Sequence, residues 1–391
     1  MVPKVDRVVS LHSLAPILAG LAVVVSPTVA FAASFTSLGD LPGGAAESFA
    51  FALSDDGSTV VGGSATDAGN EAFVWRRETG LVGLGAAEPG LRTSVALDVS
   101  ADGRVVVGER AGSGGGEGFR WTAASGLEPL GELAGGASFS RAGGVSGDGT
   151  IVVGDSISGA GSEAFRWDAA TGMQGLGDVP VGGGPTSAAF AISADGSTIV
   201  GRGDGPDGSS AFAWRGAGDV VVLGDLAGGG FESLAHNVSV DGSFVVGHSE
   251  SADGLEAFLW SVATGMQGLG DLSGGGFFST AYDVSADGGV VVGEGESALG
   301  REAFVWTVDG GLESLADYLG RNGLTISGWR FEAAYGVSAD GRTIAGFGTN
   351  PEGWREAFVV VVPEPGTAML LGLGLAALGA RRHLFGAISA R

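Results

Sequence analysis

Short runs in which apolar and polar residues alternate follow one another along the chain, each closed by a turn, and the whole pattern repeats. Its clearest landmark is Ser-x-Asp-Gly, at Ser54–Gly57, Ser100–Gly103, Ser146–Gly149, Ser193–Gly196, Ser239–Gly242, Ser285–Gly288 and Ser338–Gly341, spaced by 46, 46, 47, 46, 46 and 53 residues. Trp75, Trp121, Trp167, Trp214, Trp260 and Trp306 follow in register, with Val360 in the seventh place. In the second unit Ser94–Ser100 alternates and predicts a strand ending at the turn, where the Asp side chain bonds its own backbone and Gly103 accepts a positive φ. Arg104–Glu109 is a β-branched run, as a strand covered on both faces requires. Glu117–Trp121 alternates again, and Leu127–Leu130 forms a fourth strand before a glycine-rich crossing. Four strands per period of this length match a propeller blade with its first strand nearest the axis. The chain is therefore predicted to be an all-β, seven-bladed propeller of four-stranded antiparallel blades.

The seventh unit, from about Phe331 to Val361, stops after its third strand. Ser34–Leu41 carries the fourth-strand pattern seen at Met173–Val179 and Met266–Leu272, so the N-terminal strand is predicted to pair into the last blade and close the ring. Closure removes exposed strand edges, and an open array would instead need capping repeats. The recurring Phe and Trp, in strict register, read as core rather than as sugar platforms.

Composition narrows the setting. There are 76 glycines, no cysteine and a net charge of −24, and Lys4 is the only lysine. No disulfide framework, thiolate chemistry or Cys-ligated zinc is open to this chain, and its acidity opposes nucleic-acid binding. Residues 1–32 read as a secretory signal peptide: basic Lys4 and Arg7, an apolar stretch from Leu14 to Val25, and Ala30-Phe31-Ala32 as a small-x-small cleavage site. Residues 33–362 hold the repeats, and residues 363–391 a terminal tail. There Val362-Pro363-Glu364-Pro365 precedes an apolar run from Thr367 to Ala380, followed by Arg381 and Arg382. That run is short against the roughly 20 residues that cross a bilayer core, and the arginines would hold its end on the cytoplasmic side.

Val-Pro-Glu-Pro, a short apolar helix and Arg-Arg resemble the PEP-CTERM sorting tail of Gram-negative bacteria. The resemblance implies export by the Sec machinery, transient inner-membrane anchoring, processing by an exosortase near Pro363 to Pro365, and delivery to the cell surface or the exopolysaccharide of a biofilm matrix. The repeats resemble the HAF repeat of extracellular proteins, although the His-Ala-Phe step is Glu-Ala-Phe here, at Glu71, Glu163, Glu256, Glu302 and Glu356. A role attached to that histidine does not carry over.

Catalytic candidates are few. Outside the terminal segments only His236 and His248 remain, both in one unit, so no Ser/His/Asp set is assembled. Glu109, Asp155 and Glu294 share the end of the second strand in three units and read as rim charge unless two of them stand within reach of each other. Arg202-Gly203-Asp204 and Asn237-Val238-Ser239 match short motifs by chance in a repeat of this composition. Asp204 and Asp207 are the one candidate for calcium, without the ordered Asp ladder of a calcium loop; otherwise no cofactor is expected. A binding face is predicted where the repeats differ, in the crossings, with Phe139, Phe231, Phe277, Phe278, Trp329 and Phe331 as its aromatics. The expectation is a monomeric, non-catalytic secreted propeller binding polysaccharide or a matrix protein. The alternatives are a carbohydrate-active hydrolase or lyase on the same scaffold, and a purely structural matrix protein.

Overall fold

A computed structural model describes residues 33–362 apart from 86–90, 113, 178, 180–185 and 217–218. Signal-cleavage residues Ala30 and Ala32, and tail residues Pro363, Glu364, Pro365, Arg381 and Arg382, lie outside the described residues. The chain is all-β; among the described residues one helix, Leu315–Arg321, interrupts the strands. It is not long or apolar enough to cross a membrane.

In the second unit Leu91–Val99, Val105–Gly112, Gly115–Thr122 and Gly126–Pro129 pair in that order, each antiparallel to the next. The other units repeat this meander, from the inner strand through the second and third to the outer one. Sequence reasoning drew the inner strands too short. Gly135–Val145, Gly228–Val238 and Gly274–Val284 begin inside the predicted crossings. Their first halves touch the preceding unit's third strand in parallel, at Phe139↔Gly116, Glu232↔Ser209 and Phe278↔Leu255.

The core repeats with the sequence. Phe73, Phe119, Phe165, Phe212, Phe258, Phe304 and Phe358, all on third strands, are fully buried. The glycine of each Val-Val-Gly step makes room for them and for the inner strand. A Cβ on Gly247 would stand 1.8 Å from the Leu234 carbonyl and 3.0 Å from the Phe258 ring. The Ser-x-Asp-Gly turns form as predicted: the Ser146 hydroxyl donates to Asp148 at 2.7 Å, and the Thr150 N–H donates to the same carboxylate at 3.0 Å. Gly149 has φ +72°, and a Cβ there would strike Val105 of the preceding unit. Turn conformation and unit packing thus fix the same residue.

The Glu of Glu-Ala-Phe also has a structural task. Glu71, Glu163 and Glu256 accept from the backbone N–H groups of Gly85, Gly177 and Gly270, which begin the crossings. A carboxylate accepting a backbone N–H is a strong bond in this setting, and it pins the exit of the outer strand.

Sequence-distant ends meet. Ser34–Ser37 pairs antiparallel with Arg355–Val361, in the register Ser34↔Val361 to Ser37↔Phe358. Glu356 takes the N–H of Gly39 at 2.9 Å, repeating the Glu-to-Gly bond across 317 residues. The Ala357 N–H donates to Ser48 Oγ at 3.0 Å, as Ala257 does to Ser279 between successive units. The Ala339 N–H donates to the Asp55 carbonyl at 2.9 Å, as Ala101 does to Gly147 and Gly147 to Ala194. Val362, the last described residue, is buried and donates to the Arg342 carbonyl.

The long last interval holds the helix. Ser314 caps it by accepting the Asp317 N–H, and it buries Leu315, Tyr318 and Leu319 in one cluster with Phe331, Phe358 and Val360. This corrects the assignment of Phe331 to a binding face: it is 5% exposed, and its ring lies 4.8 Å from that of Phe358. Trp329 is half-buried against Phe35, ring centroids 4.9 Å apart. The extra residues of the interval supply apolar cover that draws these rings inward.

Candidate functional site

Every inner strand carries a β-bulge at the same place, between Ala50 and Ala52 in the first unit and between Ala334 and Gly336 in the last. A bulge turns one side chain out of the alternating order. Here the bulged residues are Phe51, Leu97, Gly143, Phe190, His236, Tyr282 and Tyr335, and all seven line one cavity of about 540 Å³. Every inner strand thus reaches this one space, a channel between them.

Five of these residues form a continuous arc. Phe190 meets His236 at 6.0 Å between ring centroids, His236 meets Tyr282 at 5.4 Å, Tyr282 stacks on Tyr335 at 4.3 Å, and Tyr335 meets Phe51 edge-on at 5.3 Å. The arc runs from the fourth unit through the last and on to the first. Behind it stand residues of the second strands. His248 Nδ1 lies 3.0 Å from His236 Nε2, Glu294 accepts from the Tyr282 hydroxyl at 2.9 Å and from Arg301 at 2.6 Å, and Phe347 stacks on Tyr335 at 6.0 Å. At the Phe190 end of the arc, Arg141 pairs with Asp155 at 2.8 Å and lies over the Phe190 ring at 5.5 Å.

Toward the turns the lining becomes acidic, with Asp55, Asp98 and Asp283. Asp98 accepts from the N–H groups of Val99 and Val145, both at 2.8 Å. Asp283 accepts from Val284 and Asn237 at 2.8 Å and from Val337 at 2.7 Å. Both aspartates thus tie their own strand to the next unit. Burial pushes Asp98 up to about 7, against the pull of its two backbone bonds. Burial, with the charges of Asp98 and Asp55 adding, pushes Asp283 up to about 8. Burial, then the neighbouring His248, holds His236 down at about 3, and burial holds His248 at about 4. Both histidines are neutral near pH 7.

These partners limit what the channel can do chemically. A general base needs a free lone pair aimed at substrate; Asp98 and Asp283 accept protein donors on both oxygens, whereas the bonds of Glu294 fall on Oε1 alone and those of Asp155 on Oδ1 alone. The two histidines of the fifth unit are in contact, His236 lining the channel and His248 behind it. Among the described residues no three His, Asp or Glu side chains are grouped to hold a metal ion, and Asp204 accepts from Ser209 Oγ at 2.6 Å.

Of the aromatics predicted for a binding face, Phe331 is buried. Phe231 is 65% exposed, Phe139 and Phe277 are half-buried, and Phe278 lies under Arg301 at 4.5 Å. Trp329 and Phe331 belong to the helix cluster. The lining residues that sequence reasoning passed over had a visible signal. They fill an inner-strand position, three residues before the turn serine, that is Phe, Leu, Gly, His or Tyr from unit to unit.

Residues 361–382 match the PEP-CTERM protein-sorting motif. The chain therefore carries the mark of an exported protein that an exosortase sorts, in association with the membrane, to the cell surface. No curated protein sequence matches the chain. Among solved structures, an oligogalacturonate lyase in complex with manganese is similar over 85% of this chain and 97% of its own length, at 14% identity and TM-score 0.52. The oligogalacturonate lyase of Vibrio parahaemolyticus is similar over 85% and 98%, at 12% identity and TM-score 0.51. TolB from Acinetobacter baumannii is similar over 68% of this chain at 13% identity and TM-score 0.46, and the chain spans 62% of that protein's length. At such identities the lyase likeness defines the fold alone, an all-β propeller-like one.

Proposed function

We propose that this chain is an exosortase-sorted, seven-bladed propeller of HAF-type repeats that binds extracellular saccharide in its central channel without turning it over. Ring closure is supported by the strand Ser34–Ser37 in the last unit and by the bonds Gly39–Glu356, Ser48–Ala357 and Asp55–Ala339, each of a kind made between successive units. The observation that carries the binding function is the aromatic arc. The repeats agree at core and turn positions and diverge where side chains meet the channel, and stacked rings beside a few polar groups suit a sugar ring. The engagement of Asp98 and Asp283 with donors of the next unit, which ties both to the framework, favours binding over hydrolysis or elimination.

Retention of the exported protein on exopolysaccharide of the producing cells tests this reading. Retention in 1 M salt is expected, since exposed charge contacts are screened there. Phe51→Ala and Tyr282→Ala should release it, while Trp329→Ala should not. Shortening of the polysaccharide on prolonged incubation would instead establish the enzyme alternative, and absence of retention would leave only a structural role.

A further inference from the structure

We propose that the channel selects a ligand bearing a protonated amine, a glucosamine-type amino sugar whose ring lies on the aromatic arc while its ammonium faces the carboxylates at the turn end. This rests on the saccharide reading above and adds the ligand's charge. The cavity, about 540 Å³, has the size of a small-molecule site. Three features of its lining choose the charge.

First, aromatic faces attract cations, and the wall already carries one: the Arg141 guanidinium sits 5.5 Å from the Phe190 ring centroid. Second, the acidic residues Asp55, Asp98 and Asp283 line the same cavity, while Arg141 is its one lining Arg or Lys among the described residues and is paired with Asp155. Third, the remaining basic group, His236, is neutral near pH 7 and does not repel a cation. Burial keeps much of the acidic lining protonated near pH 7, and an entering cation meets carboxyls that can ionise beside it. A uronate would meet a lining Arg already paired with Asp155 and would oppose ionisation of the carboxyls, and an N-acetylated sugar would forgo the attraction.

An ammonium beside Asp98 and Asp283 favours their ionised forms. Binding should therefore release protons near pH 7, which stacking alone would not do.

The test is calorimetric titration of the exported protein at pH 7 and low salt, in two buffers of different ionisation enthalpy. The probes are a glucosamine tetramer, its N-acetylated counterpart, a galacturonate tetramer and benzylammonium. The glucosamine tetramer should bind about tenfold more tightly than the N-acetylated one, galacturonate should give no heat, and benzylammonium, fully protonated at pH 7, should bind with a buffer-dependent enthalpy. Phe51→Ala and Tyr282→Ala should weaken it about tenfold or more, and Tyr282→Phe, which keeps the ring, should stay within about twofold. Should the alanine variants fail to fold, Tyr282→Phe and the ligand series still decide. Equal affinity for the two glucosamine forms, or preference for galacturonate, overturns the amine assignment and leaves the saccharide reading standing. Binding of benzylammonium with none of the tetramers keeps the amine and overturns the saccharide reading. No heat in any arm overturns both.

Discussion

In every unit the third-strand residue that fills the blade is phenylalanine and is fully buried; three residues before each turn, the inner-strand residue is Phe, Leu, Gly, His or Tyr and half-open to the channel. The two sets are separated by one strand and obey different constraints. The phenylalanine meets a glycine without a Cβ and packs into a close-packed cluster with the preceding unit, as Phe258 does with Gly247, Val200 and Ala211. The bulged residue hangs into a shared space, where its neighbours are other bulged residues. Selection on packing holds the first set uniform, and the second is left available for chemistry.

Breaking the framework should produce the largest effects. Deleting Ser34–Ser37 bares the edge of Arg355–Val361 and removes Phe35 from its contacts with Trp329 and Phe331. Thermal unfolding should lose its cooperativity and light scattering should report association through the free edge. Phe258→Ala should lower unfolding free energy by about 3–5 kcal/mol in denaturant titration. Phe190→Ala, in the lining, should cost about 1 kcal/mol or less. Equal losses at the two sites would erase the distinction.

Between these lies a pH effect. Asp98 and Asp283 have folded values of about 7 and about 8 against 3.8 unfolded, so the folded state holds their protons more tightly. The stability they confer is complete below pH 4 and is lost as pH rises through 8. His236 and His248 act in the other direction: with folded values of about 3 and about 4 against 6.5, their contribution is present above pH 6.5 and is lost as pH falls through 4. Melting temperature should therefore decline from pH 6.5 to 8.5, and Asp283→Asn should flatten that decline. The smallest expected signal is in the histidine resonances, which should not titrate between pH 5.5 and 8 in NMR spectra.

Much of the framework was readable because its determinants are local. Ser-x-Asp-Gly bonds within itself, Val-Val-Gly and Glu-Ala-Phe repeat in register, and the fourth-strand likeness of Ser34–Leu41 anticipated its pairing with Arg355–Val361. The channel was harder to see, since a bulge breaks the period-two rule that assigns faces and sends Tyr282 and His236 to a side that alternation alone does not give. Partner choice across units was also hidden. Tyr335 meets Phe51 only because the last unit stands beside the first, and no local pattern pairs residues that far apart. The aromatic crossings misled for the opposite reason: the capped helix at Leu315–Arg321 turned Phe331 and Trp329 into core.

The pairing of Ser34–Ser37 with Arg355–Val361 also sets a timetable. In a chain delivered from its N-terminus onward this strand comes early, and it must wait, unsatisfied, for almost the entire polypeptide to follow before its hydrogen-bonding partner arrives. Contacts that span so much sequence form slowly. The clasp thus makes completion of secretion a precondition for a finished molecule, and a chain stalled partway would present an open strand to its surroundings.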